Sequence, residues 1–553
     1  MNNETNGNTT KIKHKSLFWI SALLVGISFD LLFWEQSLGV NFLIFVAIAI
    51  LAGLLPILLE KVTLPWSSLL LLIPTIFFAA MAFIRAEPFT TLMNILSALS
   101  CLILFAMTLL NGKWHKFQFQ DHIINLFHFF VFSIVGGILF FTQLKKTNET
   151  TALLENEGSP LEKERPFRRA LPYLRGILLT IPILALLAAL LAQADPIFND
   201  RIQSLFSRFT FTNLEETIAR VVIIFVIAYL LLSTIYFAYT KSKNVRQSQE
   251  DKPLVKPFLG SIEANMILGG MILLFLLFVI LQFSYLFSGG KNISTTGYTY
   301  SEYARRGFFE LVLVAVISLV VFYSLSMITK RENKSKRWIF STFGLTLVGL
   351  VGIILVSAYT RLTLYEIAYG FTRLRTLAHA FMIWVGLLLM AIAVLEITKN
   401  LHRLAFILIC FILVFGSAVN ILHVDQFIAQ QNITRSINGV DNKAESELDT
   451  GYLFLLSDDA VPSLVAFFTD PSTPEDLKDE IGGVLACKLA ARDDSQENSW
   501  VSYHVSQSRA NHLLENQSVN LEPYPVSYDM YTWFVEVNGE VKSCSGYQEA
   551  PFD

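Results

Sequence analysis

The sequence predicts an all-α polytopic membrane bundle of about twelve helices, followed by a small α+β, mainly helical, water-exposed C-terminal domain. Three observations predict it. Mean hydropathy is +0.52 and only 16% of residues are charged, outside the balance of a soluble domain. Apolar residues come in blocks of roughly twenty, the length a helix needs to cross the hydrocarbon of a bilayer. The net charge of −3 hides an asymmetry: residues 424–553 hold 22 acids against 7 bases, while the rest of the chain is basic by 12. Tail and membrane body are therefore different objects.

In chain order, the spans are 16–34, 38–59, 66–84, 92–111, 124–142, 175–194, 219–240, 264–288, 307–328, 338–357, 378–397 and 404–423. Lys11, Lys13 and Lys15 precede the first, but no small-residue cleavage site follows it, so it reads as a retained helix. Cys101 and Cys410 fall inside apolar blocks and read as small buried hydrophobes. His115, His122 and His128 lack the regular spacing of zinc ligands, and no metal site is expected. Between 1–142 and 175–423 lies a polar segment, 143–174, with Glu155, Glu157, Pro160, Glu162 and Glu164. It reads as a flexible cytoplasmic linker. Residues 200–218 mix phenylalanine with Arg201, Arg208, Glu215 and Glu216, as an interfacial helix does.

Basic loops face the cytoplasm. Segment 143–174, the loop Lys241 to Lys256, the cluster Lys330 to Arg337 and the stretch Lys399 to Arg403 alternate correctly for the inside. This puts 289–306, 358–377 and the tail outside. Carried back through five spans, the same alternation puts the basic N-terminus outside, against the rule. A re-entrant segment, a hidden crossing, or later helices overruling the N-terminus would each account for the broken parity.

The tail, 424–553, carries the signals of a folded domain. Thr473, Pro474 and Asp476 start a helix running to Ala491. Further helices are expected over Val461 to Phe468 and Val501 to Leu514. Asn538-Gly539, between Phe534 to Val537 and Glu540 to Lys542, marks a hairpin. Cys487 and Cys544 can pair as a disulfide if the tail lies outside the cell.

Two outward segments concentrate charge and tyrosine. In Tyr298 to Glu310, a helical spacing sets Glu302, Arg306 and Glu310 on one face, beside Tyr303 and Arg305. A carboxylate inside the membrane is costly unless paired, so Glu310 reads either as a binding residue or as a structural ion pair. In Tyr359 to Arg375, Arg361, Tyr365 and Tyr369 recur every four residues near Glu366, Arg373 and Arg375. Gly370 is placed to end one helix and Thr372 to cap the next. So many arginines on an outer surface either pair with acids or bind an anion.

The runs Tyr300 to Glu310 and Arg361 to Arg375, together with Asp30-Leu31-Leu32-Phe33-Trp34, resemble a bacterial polytopic membrane family. It is known only as a domain of unknown function, numbered four-one-seven-three or four-one-five-three. The resemblance reaches over most of 16–470. It implies a membrane location and no assigned activity, cofactor or catalytic residue.

No P-loop, dinucleotide turn, serine elbow or paired CxxC occurs, and the acidic tail disfavours nucleic acid. Three functions remain. The first is transport or envelope-associated binding of an anionic solute or lipid headgroup at the Arg/Glu/Tyr cluster. The second is an envelope enzyme of the polytopic lipid-dependent glycosyltransferase type, with Asp30 as a candidate acid and only the architecture to support it. The third is a scaffold or sensor whose tail meets a protein partner.

Overall fold

The computed structural model describes residues 14–155, 214–245, 257–286, 308–330, 333–438, 448–493, 499–529 and 532–545. Among these residues, eleven helices are long and apolar enough to cross a membrane, so the chain is a multi-pass membrane protein. They are α1 (Lys15–Phe33), α2 (Val40–Leu59), α3 (Leu72–Ile84, entered through a single turn at Trp66–Leu69), α4 (Pro88–Thr108), α5 (Phe119–Glu155), α6 (Leu214–Thr240), α7 (Ser261–Leu286), α8 (Phe308–Ile328), α9 (Lys334–Tyr369), α10 (Arg373–Ile397) and α11 (Leu404–Leu422). Each falls on a span expected from the apolar blocks. The twelfth expected span, 175–194, lies outside the described residues, as do linker positions 156–174 and 200–213 of the expected interfacial helix.

The helix ends sort onto two faces. On one, the His14 N–H donates to Glu60 Oε1 (2.8 Å), Leu110 N–H donates to Ser242 Oγ (3.2 Å), and Lys330 N–H donates to the Leu259 carbonyl (2.9 Å). On the other, the loop after α1 meets the C-terminal domain, where Val40 N–H donates to the Tyr503 carbonyl (2.9 Å). Helix α6 starts on this second face, with Arg220 against Asp30, and runs away from it. Helix α5 packs antiparallel to α6: Phe129 meets Phe237, and Tyr229 donates to the Ile134 carbonyl (2.5 Å).

This ordering places the start of α1 on the face opposite the domain, together with Lys61, Lys113, Lys116, Lys241, Lys330, Lys334 and Lys399. The first five spans thus obey the same charge rule as the last five. The parity problem moves to the polar segment: α5, antiparallel to α6, delivers the chain to the domain face, not to the basic face where 143–174 was expected.

Packing follows the small residues. A side chain at Gly26 of α1 would overlap the Ile224 backbone, so α1 and α6 lie in close contact. Phe18, Ile57, Phe105, Phe140 and Ile235 share one core, which groups α6 with the helices before the linker. Helices α7–α10 share another around Phe322, Phe340, Leu347 and Val385. Helix α11 bridges them: Gly416 takes the Phe78 ring of α3, and Trp384 of α10 stacks near Phe411.

At His423 the backbone turns left-handed (φ 50°), ending α11. Helix α12 (Val424–Asn438) leaves the bundle and leads into α13 (Thr450–Leu455), α14 (Val461–Thr469), α15 (Glu475–Asp493) and α16 (Val505–Asn516). An antiparallel sheet follows, β1 (Val526–Asp529), β2 (Thr532–Val537) and β3 (Glu540–Ser543), in the order β1-β2-β3. The expected helices and hairpin are all present; α12, α13 and β1 are additions. Val535 and Val537 of β2 face α15, and the Cys487–Cys544 disulfide ties the hairpin to that helix.

Single cysteines introduced at Lys113 and Asn244, in a background with Cys101 and Cys410 replaced by serine, will share one accessibility to a membrane-impermeant maleimide. A cysteine at Asn520 will show the opposite accessibility. Labelling of Lys113→Cys and Asn520→Cys from the same side would refute the ordering.

Candidate functional site

Four residues of the first outward segment, Glu302, Tyr303, Arg305 and Arg306, lie outside the described residues, so their ion ladder is not seen. Glu310 lies in the first turn of α8 with its side chain exposed.

The second segment is fully described. Gly370, at φ 77°, ends α9 as its position suggests, and Thr372 stands at the N-cap of α10 without a side-chain cap bond. Arg361 is half-buried on α9. Arg375 reaches back, its Nη1 donating to the carbonyls of Tyr369 (3.2 Å) and Gly370 (2.5 Å), and so closes the C-terminus of α9. Its guanidinium lies 4.1 Å from the Tyr365 ring centroid, and Tyr365 packs on Tyr369. Glu366, 3% exposed, pairs with His379 of α10 at 2.8 Å. The Tyr359 ring stacks on the same histidine.

Arg373 carries the most connections. Its Nε and Nη2 donate to both oxygens of Asp425 (2.7 and 2.6 Å), and Nη2 also reaches the Leu455 carbonyl (3.1 Å). Its backbone N–H, an orphan of the α10 terminus, donates to Tyr452 Oη (2.8 Å). Glu87 stands 3.8 Å away. Asp425, fully buried in the first turn of α12, also accepts from Ser457 N–H (2.6 Å). One arginine therefore joins the α9–α10 turn, the exit helix and the domain.

A second knot lies beside it. Asp459 accepts from the N–H groups of Ala86 and Glu87 (3.0 and 3.2 Å) and from Ser506 Oγ (2.8 Å), and lies 3.9 Å from Arg85. Glu87 itself caps α4, taking Phe89 N–H and Thr90 N–H, with Pro88 in the first helical turn. Arg85 also binds the His423 ring. Asn94 and Asn420 exchange hydrogen bonds between α4 and α11 (3.0 and 2.7 Å), and Asn432 clips both backbone groups of Phe371 (2.7 and 2.9 Å).

Behind the knots lies Lys488 of α15, donating to the Phe454 and Leu456 carbonyls (2.8 and 2.7 Å). Burial pushes its ammonium down to about 8, with Asp458 opposing the shift. Arg492 pairs with Asp458.

Sequence reasoning found Arg373, Arg375 and Glu366 but not their partners. Asp425, Asp459 and Lys488 are single charged residues in a tail full of them. Only Glu87-Pro88, a capping pair between two spans, was a readable signal. Asp30, the candidate catalytic acid, is held bidentately by Arg220 (2.8–3.2 Å) and braces α1 to α6. Trp34 Nε1 donates to Glu216 beside it (2.9 Å). No group of three or more histidine, cysteine, aspartate or glutamate side chains that could hold a metal occurs among the described residues.

The chemistry of the arrangement is cohesion: each oxygen of Asp425 and Asp459 accepts a protein hydrogen bond. Replacing Arg373 with methionine strands the buried Asp425 charge and is expected to cost about 3 kcal/mol, read as a lower midpoint of thermal unfolding in detergent. R373M/D425L should recover much of that loss; equal melting of wild type and R373M would show that the pair carries nothing. For Lys488, the unfolded chain holds its proton to higher pH than the folded one, so stability should rise between about pH 8 and 10.5. K488M should flatten that rise.

Residues 72–467 match the family described as Domain of unknown function (DUF4153). The match covers more than half of the chain, which therefore belongs to that family, and of the two family numbers the resemblance suggested, this is the one confirmed. No curated protein and no solved structure matches.

Proposed function

We propose that this DUF4153 chain is a membrane scaffold or sensor that holds its C-terminal domain as a fixed cap on the extracytoplasmic face, for recognition by a partner or signal there. One observation carries the reading: the domain and the end of the bundle share a single hydrophobic core. Val419 of α11, Val424, Ile428 and Ile433 of α12, Leu464, Ile481, Leu485, Leu514 and Val535 form one buried cluster, against which Met93, Phe371 and Phe415 of the bundle also pack. A domain on a tether has no need of such a joint. The charge knots lie in the same joint, so the described members of the Arg/Glu/Tyr cluster act as its fastenings in this reading, ahead of anion binding or transport.

The outward side is supported by charge. The face away from the domain carries the lysines at 61, 113, 116, 241, 330, 334 and 399, whereas the described bases at the domain-side helix ends are arginines, of which Arg85, Arg220 and Arg373 are held by acids. The Cys487–Cys544 disulfide suits an oxidising compartment.

Two measurements test the reading. Trapping intact cells with a bulky maleimide before and after reduction is expected to modify Cys487 and Cys544 only after reduction; free thiols in untreated cells would place the domain inside. In a deletion strain, E536K/V541D, which alters only the exposed outer face of the hairpin, is expected to behave like removal of the whole chain while keeping the wild-type melting temperature. Full complementation by that folded variant and by a matching change at Tyr528 would count against recognition through this domain.

A further inference from the structure

The segment before α16 is wedged between two membrane helices. The Tyr503 carbonyl accepts the first N–H of α2 (2.9 Å), and Ser502 Oγ meets Gln36 and Ser37 (3.3 and 3.2 Å). A side chain at Gly39 would overlap the Ser502 backbone. His504 is half-buried at the end of α3, against the backbone of Ala82 and Arg85. These contacts put residues 500–505 at the level where α2 begins and α3 ends, the edge of the bilayer. Trp500 and Tyr503 are nevertheless 71% and 48% exposed, beside exposed Leu38, as members of an interfacial aromatic belt are.

Helix α16 starts from this edge. Ala510 and Leu514 point into the domain core. The outer stripe, Val505, Ser508, Arg509 and His512, together with Leu513, which also packs on the core, forms with Tyr503 an open groove of about 470 Å³. One side offers a guanidinium, an imidazole and hydroxyls; the other offers apolar and aromatic surface.

Arg509 is set apart by its surroundings. Of the other described bases in this acidic domain, Lys478, Arg492 and Lys542 pair with carboxylates, Lys488 is buried against carbonyls, and Arg435 packs against Gly370. Arg509 is exposed, enters no ion pair among the described residues, and lies near Arg85, whose guanidinium burial pushes down, Asp459 pushes back up, and Arg509 pushes down in lesser measure. Asp459 answers Arg85 at 3.9 Å, which leaves Arg509 as the charge at this edge open to an anion.

We infer that this groove binds the phosphate headgroup of an anionic phospholipid from the adjoining leaflet, with Arg509 and His512 on the phosphate and Trp500 and Tyr503 against the glycerol and upper acyl chain. The occupant is a lipid because the groove lies at the bilayer edge and pairs a cationic wall with an apolar one. The inference holds whichever way the protein faces. It gives an acidic domain, which an anionic surface would otherwise repel, a local point of attraction.

The test is native mass spectrometry of the full chain in detergent, titrated with phosphatidylglycerol, with phosphatidylcholine, and with inorganic phosphate. Wild type should hold one phosphatidylglycerol about tenfold more tightly than phosphatidylcholine, and R509Q/H512A should lose that preference, the size expected for one charge-assisted contact. R403Q, on the opposite face, should keep it, and equal melting temperatures will establish that the variants are folded. An unchanged preference in R509Q/H512A overturns the site. Competition by millimolar inorganic phosphate that displaces the lipid completely overturns the lipid as occupant, because a free anion then suffices.

Discussion

Asp425 is buried completely two residues after the chain turns at His423, and the position of the whole C-terminal domain depends on that carboxylate having a partner. An unpaired charge there would cost several kcal/mol. Arg373 supplies the partner, and because its backbone N–H and its Nη2 also hold Tyr452 and Leu455, neutralising one charge fixes three chain segments at once. His423 is the geometric counterpart. Its left-handed backbone separates α11 from α12, and the resulting change of direction brings Asp425 to the α9–α10 turn. Had one straight helix continued from Leu404 to Asn438, Asp425 would lie along the axis of α11, away from that turn.

A buried ion pair is a weak source of net stability but a strong source of registry, since any other arrangement leaves one charge stranded. The bundle uses this repeatedly. Asp30 with Arg220 sets α1 against α6, Glu366 with His379 sets α9 against α10, and Asn94 with Asn420 sets α4 against α11. Between apolar helices in lipid no hydrophobic force selects one partner over another. Polar pairs at defined depths supply the selection, and small residues such as Gly26 and Gly416 let the backbones close around them.

Much of this was legible in the residues. Apolar blocks near twenty residues, Gly370 after Tyr369, Pro474 before the run to Asp493, and Asn538-Gly539 each act locally, through length, left-handed φ, capping and turn type. The structure follows them because no tertiary contact opposes them. The partners of the charged residues were not legible, since ion pairing is set by three-dimensional distance. Asp459 lies more than 370 positions from the N–H groups it accepts, and nothing in a single sequence singles it out among the tail's carboxylates. The exit helix α12 was missed because Val424 to Asn438 is too polar for a span.

The broken parity of the sequence reading has a physical origin in the same distinction. Alternation of basic loops assumes that every basic stretch reports a side, yet lysines and arginines also occur in polar segments where no short loop joins two spans. Helix direction does not depend on that assumption. With α5 antiparallel to α6, the first five spans and the last five agree on a basic face, and residue 155 and residue 214 end on the other. The span expected at 175–194 lies outside the described residues, and the two helices that flank it fix only the face on which the chain leaves and returns.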